Sequence, residues 1–316
     1  MKTTSPATLV IVPTYNRAAF LPEAVESVLS QHDAIPSLLI VDDGSDDETR
    51  RLCENYRARY SDRFYYLYQD NQGCSSARNR GLDWLDSRFY YVCFLDSDDR
   101  LLPGKLRRET DLLACHPDKA FTYADSIIFD EQSNKAVLKT VAAAGKPNHF
   151  AIEHFLTNEA KCSAILYRAA AIGHRRFRED LKYNEDSEFL QRIALEYRGI
   201  YAPEPGCWVR WHAGSKSRNF IEIQKAVLRA SQDILKAYPE FHASFRRRAD
   251  LRIRGIRQSL FRQLMLFEDW DEAKLYAETP IEKLFVALRS NQYYKMRRQA
   301  GKALMRMSQV TGDTLK

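Results

Sequence analysis

The sequence predicts an α/β protein with a mostly parallel central sheet flanked by helices, followed by an all-helical C-terminal extension. In the first half of the chain, short apolar runs alternate with amphipathic stretches of helical length. This alternation is typical of a parallel sheet covered by helices on both faces. After residue 219 the apolar spacing becomes helical throughout. We therefore expect two domains, at residues 1–218 and 219–316.

The elements of the first half follow from these runs in order. Strands are expected at Thr8–Thr14, Ser37–Asp42, Phe64–Gln69, Tyr90–Asp96 and 120–129. Helices are expected at 18–31, 46–60, 74–86 and 104–115. The second helix begins with three acids, which its dipole favours, and Pro103 suits the first turn of the fourth helix.

From about residue 130 the pattern becomes irregular. The stretch Glu131–Asn134 is typical of a hairpin turn, and 142–147 of a loop. We expect a further strand at Cys162–Tyr167, a helix that begins near Asp186, and a last strand at Trp208–His212.

Length and composition exclude several classes of protein. Of the 316 residues, 45% are hydrophobic and 28% are charged, which indicates a globular chain. The longest apolar runs are far shorter than the ~18 residues of a membrane span. No secretory segment precedes the first strand, so a cytoplasmic location is expected. Six cysteines without a Cys-x-x-Cys pair are expected to be reduced.

Positive charge is concentrated at the C-terminus, where residues 281–316 account for the whole net charge of +6. A helix over Tyr293–Met307 would have one apolar and one basic face. Such a helix either packs on the domain with its basic face in water, or allows peripheral contact of 291–316 with the anionic inner face of a membrane. A nucleic-acid partner is not expected, because Arg246-Arg247-Arg248 stands without a recognisable nucleic-acid-binding motif.

Polar and acidic residues follow three of the predicted strands. These segments are Pro13–Asn16, Asp42–Asp46 and Asp96–Asp99. Ligands of open α/β sheets bind at the carboxyl ends of the strands. Each segment alone would also suit a turn or a helix cap, but crowded carboxylates repel one another unless a cation neutralises them.

The Asp-x-Asp pair, Asp96 and Asp98, suits Mg²⁺ or Mn²⁺ because these ions prefer oxygen ligands and leave positions for substrate phosphates. The sequence has neither a P-loop nor a dinucleotide fingerprint. A nucleotide diphosphate bound through a metal therefore fits these strand ends best.

The order of the motifs resembles the family 2 glycosyltransferases, which have the GT-A fold. The resemblance spans residues 8–218, and the C-terminal third resembles nothing that we can name. It is carried by Val12-Pro13-Thr14-Tyr15-Asn16, Asp42-Asp43-Gly44-Ser45-x-Asp47, Gly73-x-x-x-Ala77-Arg78-Asn79, Asp96-Ser97-Asp98-Asp99, Glu185-Asp186 and His212-x-x-Ser215-x-Ser217.

This resemblance implies an inverting transfer of a sugar from a nucleotide-diphosphate donor, expected to be a UDP-sugar, to a hydroxyl of a glycan or glycolipid acceptor. The setting that it implies is the synthesis of a bacterial cell-surface polysaccharide or lipopolysaccharide. The cofactor would be Mn²⁺ or Mg²⁺.

The resemblance also implies roles for single residues in donor binding. Asp43, or with less support Asp42, would accept a hydrogen bond from the imide N–H of uracil, and Asp96 would face the ribose. Asp98 and His212 would hold the metal, and Asp99 would bind the acceptor or shape the loop. The remaining nucleotide-binding residues would be Pro13, Thr14, Tyr15, Asn16, Gly73 and Arg78, and the loop over the diphosphate would contain Ser215, Lys216, Ser217 and Arg218.

Inversion requires a base that takes the proton of the acceptor hydroxyl. The resemblance implies Asp186 as this base, with Glu185 as its neighbour or as a ligand of the acceptor. Both acids would equally suit the first turn of a helix without any catalytic role.

A nucleotidyltransferase acting on a sugar phosphate is the alternative function. It also uses paired aspartates and a metal, but it usually has a glycine-rich basic loop where this chain has Pro13–Asn16. A glycosyltransferase releases UDP from a UDP-sugar, whereas a nucleotidyltransferase releases pyrophosphate.

Overall fold

The computed structural model describes residues 7–141, 149–267, 269–280, 282–283 and 286–287, except the side chain of Ser217. Its strands are β1 (Ala7–Thr14), β2 (Ser37–Asp42), β3 (Phe64–Tyr68), β4 (Phe89–Phe94), β5 (Arg100–Leu101), β6 (Phe121–Asp130), β7 (Lys135–Lys139), β8 (Ile165–Arg168) and β9 (Gly199–Trp211). Its helices are α1 (Leu21–Leu29), α2 (Thr49–Arg59), α3 (Cys74–Asp83), α4 (Lys105–Cys115), α5 (Phe150–Thr157), α6 (Ala169–Ile172), α7 (Glu185–Glu196), α8 (Phe220–Ala237), α9 (Pro239–Leu266) and α10 (Trp270–Ala273).

The strands of the described residues form one sheet in the order β3-β2-β1-β4-β8-β6-β9-β5, with β7 paired to β6. The first four strands of this order are parallel. Beyond them, β8 runs antiparallel to both β4 and β6, and β9 runs parallel to β6. Because β1 lies between β2 and β4, the loops that follow these three strands meet at one edge of the sheet.

The sheet has a hydrophobic core on each face. Leu9 and Ile11 of β1 belong to one core, whereas Val10 and Val12 belong to the other. Successive side chains of a strand point to opposite faces, so an unbroken apolar strand contributes to both cores. Four neighbouring parallel strands with helices packed on both faces confirm the predicted mostly parallel α/β sheet flanked by helices.

The elements predicted over the first 130 residues agree with the structure to within a few residues, but the two-residue strand β5 was not predicted, and several later elements were missed as well. Strand β7 is exposed along its whole length, so it has no alternating apolar pattern. The first half of β9 contains Pro203 and Pro205, residues that argue against a strand within a sheet. The predicted strand at Cys162–Tyr167 begins as a 3-10 turn, Cys162–Ala164, before β8.

The described residues divide into two compact units. The first contains the residues up to Asn219 together with Asp233–Phe245, and the second contains Phe220–Gln232 and the residues from Arg246 onward. The domains 1–218 and 219–316 stay a prediction, since Asp233–Phe245 groups with the first unit. Helices α8, α9 and α10 occupy the expected C-terminal extension. Within the described ranges, no helix is long and apolar enough to cross a bilayer. The helix predicted at Tyr293–Met307 lies outside the described residues.

Candidate functional site

Asn16 fixes the loop after β1 to the loop after β2. Its backbone N–H donates to Ser45 Oγ, and its Oδ1 accepts from the backbone N–H of Asp46, each at 2.9 Å. Asn16 has a φ of 51°, a left-handed conformation that asparagine tolerates. Through this conformation the chain leaves the Tyr15 side chain 49% exposed, directly beyond the buried end of β1.

Asp42 is a structural residue of the β2 end. It is fully buried, and its oxygens accept from the backbone N–H of Ser45 at 2.9 Å and from the Tyr66 hydroxyl at 2.7 Å. Because this carboxylate has no exposed surface, the geometry favours Asp43 over Asp42, and the nucleotide contact of Asp42 stays a prediction.

Asp43 anchors the loop before α3. Its carboxylate accepts from Gln69 Nε2 at 2.7 Å, from the Gln72 N–H at 2.9 Å and from the Gly73 N–H at 2.8 Å. A carboxylate has about four acceptor sites, so about one remains for a ligand. Gly73 has a φ of 95°, which glycine adopts without strain.

Arg78 ties three elements together from the buried face of α3. One amino group donates to Glu185 Oε1 at 2.8 Å and the other to Asp96 Oδ1 at 2.7 Å. The arginine is 2% exposed. Both amino groups are engaged by carboxylates, so the contact of Arg78 with a nucleotide stays a prediction.

Asp99 lies beneath the Asp-x-Asp loop and is 4% exposed. Its carboxylate accepts from Ser163 Oγ at 2.9 Å and from the backbone N–H of Arg210 at 3.1 Å. Burial raises the pKa of Asp99 well above its usual value, and the charges of Asp96 and Asp98 add to this. Of the two roles foreseen for Asp99, the geometry favours shaping the loop.

His212 brings the turn after β9 to the Asp-x-Asp loop. Its Nε2 lies 3.1 Å from Asp98 Oδ2, and the backbone N–H of Gly214 donates to its Nδ1 at 3.2 Å. A neutral imidazole has one donor and one acceptor nitrogen. With Nδ1 as acceptor, the proton lies on Nε2 and is donated to Asp98.

Asp98 fits a hard divalent cation better than His212 does. Mg²⁺ is usually held by one or two carboxylates together with substrate phosphates and water, and the Asp98 side chain is 19% exposed. Over the described part of the chain, no group of three or more His, Cys, Asp or Glu forms a metal cluster. To bind a metal, His212 would have to lose its Nε2 proton, so its metal role stays a prediction.

Glu185 and Asp186 open α7 but differ in their surroundings. Glu185 is 7% exposed and bound to Arg78. Burial raises the pKa of Glu185, against the opposing effect of Arg78. Asp186 is half-buried, and its carboxylate forms no hydrogen bond or ion pair with the described residues. Its oxygens are therefore available to a ligand, and its role as base stays a prediction.

The turn predicted to cover the diphosphate begins at Ser215, whose Oγ accepts from the backbone N–H of His212 at 2.9 Å. Arg218 donates to the His212 carbonyl at 2.9 Å, and Lys216 is exposed. The side chain of Ser217 lies outside the described part of the structure.

Two arginines at the site were not predicted from the sequence. Arg17 donates to the Gly214 carbonyl at 3.2 Å, and its Nε lies 3.9 Å from Asp98 Oδ2. Arg210 donates to the Asp98 carbonyl at 3.3 Å and forms ion pairs with Glu23 and Glu131. Arg17 directly follows the Pro13–Asn16 motif, a position that could have drawn attention to it. The pattern of apolar and polar residues in β9 did not indicate a role for Arg210.

Comparison with known proteins identifies relatives of this chain and of its fold. The family described as "Glycosyl transferase family 2" matches residues 9–170. The minor teichoic acid biosynthesis protein GgaB of Bacillus subtilis is 30% identical over 193 residues. That alignment covers 58% of this chain and 20% of GgaB, so this chain spans about a fifth of the length of that relative.

Two solved structures have the same fold. S. aureus TarS 1–349 in complex with UDP-GlcNAc has a TM-score of 0.54 at 18% identity, over 72% of this chain and 66% of that chain. The mannosyltransferase PcManGT from Pyrobaculum calidifontis, in complex with GDP-Man and Mn²⁺, has a TM-score of 0.58 at 16% identity, over 92% and 82% of the two chains. The sheet and its flanking helices are thus GT-A-like, and the match over residues 9–170, about half of the chain, shows that this protein belongs to glycosyl transferase family 2.

Proposed function

We propose that this protein is an inverting, metal-dependent glycosyltransferase that moves a sugar from a UDP-sugar to a hydroxyl of a glycan or glycolipid. The observation that carries the proposal is the contact between Asp98 and His212. This contact brings the Asp-x-Asp loop and the turn after β9 together at the sheet edge where β1, β2 and β4 end.

The nucleoside end of the donor would lie on the loops after β1 and β2. Tyr15 is exposed there, and Thr14 Oγ1 is buried without a hydrogen-bond partner among the described residues. The remaining acceptor site of Asp43 suits the imide N–H of uracil. TarS, whose structure contains UDP-GlcNAc, supports a UDP-sugar as the donor.

The diphosphate end would lie at Asp98, with Asp96 toward the ribose. A divalent cation on Asp98 would stabilise the negative charge of the leaving diphosphate, and the PcManGT structure, which contains Mn²⁺, supports this cofactor. Arg17 lies 3.9 Å from Asp98, and Arg218 donates to the carbonyl of His212, which contacts Asp98. These positive charges support the binding of a departing diphosphate at this position.

Asp186 would act as the base. As its carboxylate takes the proton of the acceptor hydroxyl, the hydroxyl oxygen forms a bond to the anomeric carbon. The bond from that carbon to the β-phosphate oxygen breaks, and UDP leaves with the electron pair. A positioned base of this kind contributes about 10²–10⁴-fold to the rate. Glu185 and Arg78 hold the first turn of α7 in place for this step.

The acceptor is proposed to be a cell-surface polysaccharide or its lipid-linked precursor, since GgaB is named for teichoic acid synthesis. A cytoplasmic location, with peripheral contact between residues 291–316 and the inner face of the membrane, belongs to the same proposal. The tail contact is tested by comparing the full chain with a chain ending at Ser290 in sedimentation with anionic vesicles. Equal sedimentation of the two would contradict it.

Thermal unfolding with a panel of donors tests the proposed function. With Mn²⁺ present, a UDP-sugar is expected to raise Tm more than the matching GDP- or dTDP-sugar. A ligand at 100 times its Kd stabilises the folded state by about 2.7 kcal/mol. A shift produced by nucleoside triphosphates and not by any nucleotide-sugar would favour the nucleotidyltransferase alternative.

A further inference from the structure

Helix α9 has an exposed face that the proposed catalytic site does not use. The helix is 28 residues long, and its internal kink lies at Phe245, so the part from Arg246 onward is continuous. At 100° per residue, seven exposed residues fall within an arc of about 120°. They are Arg247, Arg248, Leu251, Arg254, Gly255, Arg262 and Leu266, and we call Arg247, Leu251, Arg254, Arg262 and Leu266 the α9 stripe.

The α9 stripe contains three arginines and no acid, and the nearest acid on the helix, Asp250, lies about 40° outside the arc. No Asp or Glu lies in the same arc of the helix, and Arg247 and Arg254 form no ion pair with described residues. Arg262 interacts electrostatically with the carboxylate of Glu282. Arg257 lies on the flank of the helix and differs, because it is paired with Glu278 at 2.7 Å.

The stripe also exposes large apolar side chains. Leu251 is 55% exposed and Leu266 is 81% exposed, and Phe267, directly after the helix, is 74% exposed. A basic face that only contacts water has no need of leucines between its arginines. A nucleic acid would use the arginines but not these leucines, because phosphate contacts dominate its binding.

Alternation of basic and apolar residues along one helix face is typical of a helix that lies in the interface of an anionic bilayer. An arginine side chain can place its guanidinium among the lipid phosphates, while its aliphatic part and the neighbouring leucines contact the upper part of the acyl chains. From Arg247 to Leu266 the stripe is about 28 Å long at 1.5 Å per residue. That length allows all five residues to touch one flat surface.

We propose that the α9 stripe binds the surface of a bilayer containing anionic lipid. This contact does not depend on the tail 291–316 or on the catalytic proposal. It would hold the protein at the surface where a lipid-linked acceptor is found.

Vesicle sedimentation of the full chain tests the proposal. The vesicles are phosphatidylcholine alone or phosphatidylcholine with phosphatidylglycerol at about 3:1, and the variant carries Arg247→Gln, Arg254→Gln and Arg262→Gln. Each basic residue near an anionic surface contributes about 1 kcal/mol, or about fivefold. The three substitutions are therefore expected to lower the partition coefficient on anionic vesicles at least tenfold, with Tm unchanged.

A matched control carries the same change in charge on other helices: Arg51→Gln, Arg57→Gln and Arg80→Gln, all exposed positions of α2 and α3. This control is expected to bind vesicles within about twofold of the unchanged protein. A second variant, Leu251→Gln with Leu266→Gln, is expected to lose the binding that persists at high salt. If the α9 variant and the control bind vesicles equally, the proposal is overturned. It is also overturned if the α9 variant loses only the binding of a labelled oligonucleotide.

Discussion

Arg78 and Glu185 form a buried ion pair, with 2.8 Å between Nη1 and Oε1 across 107 positions of the chain. The other amino group of Arg78 holds Asp96 at 2.7 Å. Glu185 precedes the proposed base, and Asp96 opens the loop of the proposed metal ligand. One arginine therefore fixes the two halves of the proposed site relative to each other.

Arg78→Ala is expected to lower the free energy of unfolding by about 3–5 kcal/mol, because it leaves the buried carboxylate of Glu185 without its cation. Arg50→Ala is the matched control. Arg50 is paired with Glu54, but its side chain is 72% exposed, and a pair of this kind contributes about 0.3–0.5 kcal/mol. Urea unfolding of both variants measures the difference. Equal, small losses would mean that the bridge does not stabilise the fold.

Glu185→Gln is expected to change how stability depends on pH. The folded-state pKa of Glu185 is raised by burial, so the native protein binds this proton more tightly than the unfolded chain, whose glutamate pKa is about 4.3. The stabilising contribution is therefore complete below about pH 4 and is lost as pH rises through the folded-state pKa. Glutamine cannot ionise, although its carbonyl oxygen can still accept from Arg78.

The free energy of unfolding of the unchanged protein, relative to that of Glu185→Gln, should consequently fall as the pH rises above about 4. Urea unfolding at several pH values provides this comparison. A constant difference across the range would show that Glu185 is ionised equally in both states.

Asp98→Ala is expected to remove the dependence of donor binding on a divalent cation while leaving Tm nearly unchanged, since this side chain is partly exposed and shapes no core. Calorimetric titration with a UDP-sugar, with and without Mn²⁺, measures the effect. Asp111→Ala, at an exposed ion pair on α4, is the control and should bind as the unchanged protein does. If donor binding by Asp98→Ala still depends on Mn²⁺, Asp98 is not a ligand of the metal.

The parallel part of the fold could be predicted because its strands are buried on both faces and leave continuous apolar runs, as in Leu9–Val12. The second half of the sheet could not be predicted in the same way. Strand β7 is exposed on both faces and β9 contains two prolines, so neither carries the periodicity that indicates a strand.

The candidate site could be predicted as a set of motifs but not as a network. The motifs indicated which acids to examine, and Asp98 and Asp186 have surroundings that suit their proposed roles. The sequence could not distinguish Asp42, which is sealed by Ser45 and Tyr66, from Asp43 beside it. Nor could it indicate Arg17 or Arg210, because their roles depend on contacts between segments that lie far apart in the chain.

Asp186→Asn is expected to bind the donor as tightly as the unchanged protein and to lower kcat by about 10²–10⁴-fold, the usual size of a lost general base. Asparagine keeps the shape of the side chain, so donor affinity measured by calorimetry serves as the internal control. Weak donor binding with normal turnover at saturation would identify Asp186 as a binding residue.

Product analysis tests the central claim most directly. The full-length protein is incubated with a UDP-sugar labelled in the sugar, with Mn²⁺ and a glycolipid extract as a source of acceptors, and the products are separated. The account predicts release of UDP, with the label joined to the acceptor through an inverted anomeric linkage, and loss of both products in Asp186→Asn. Release of pyrophosphate, or a retained anomeric configuration, would contradict it.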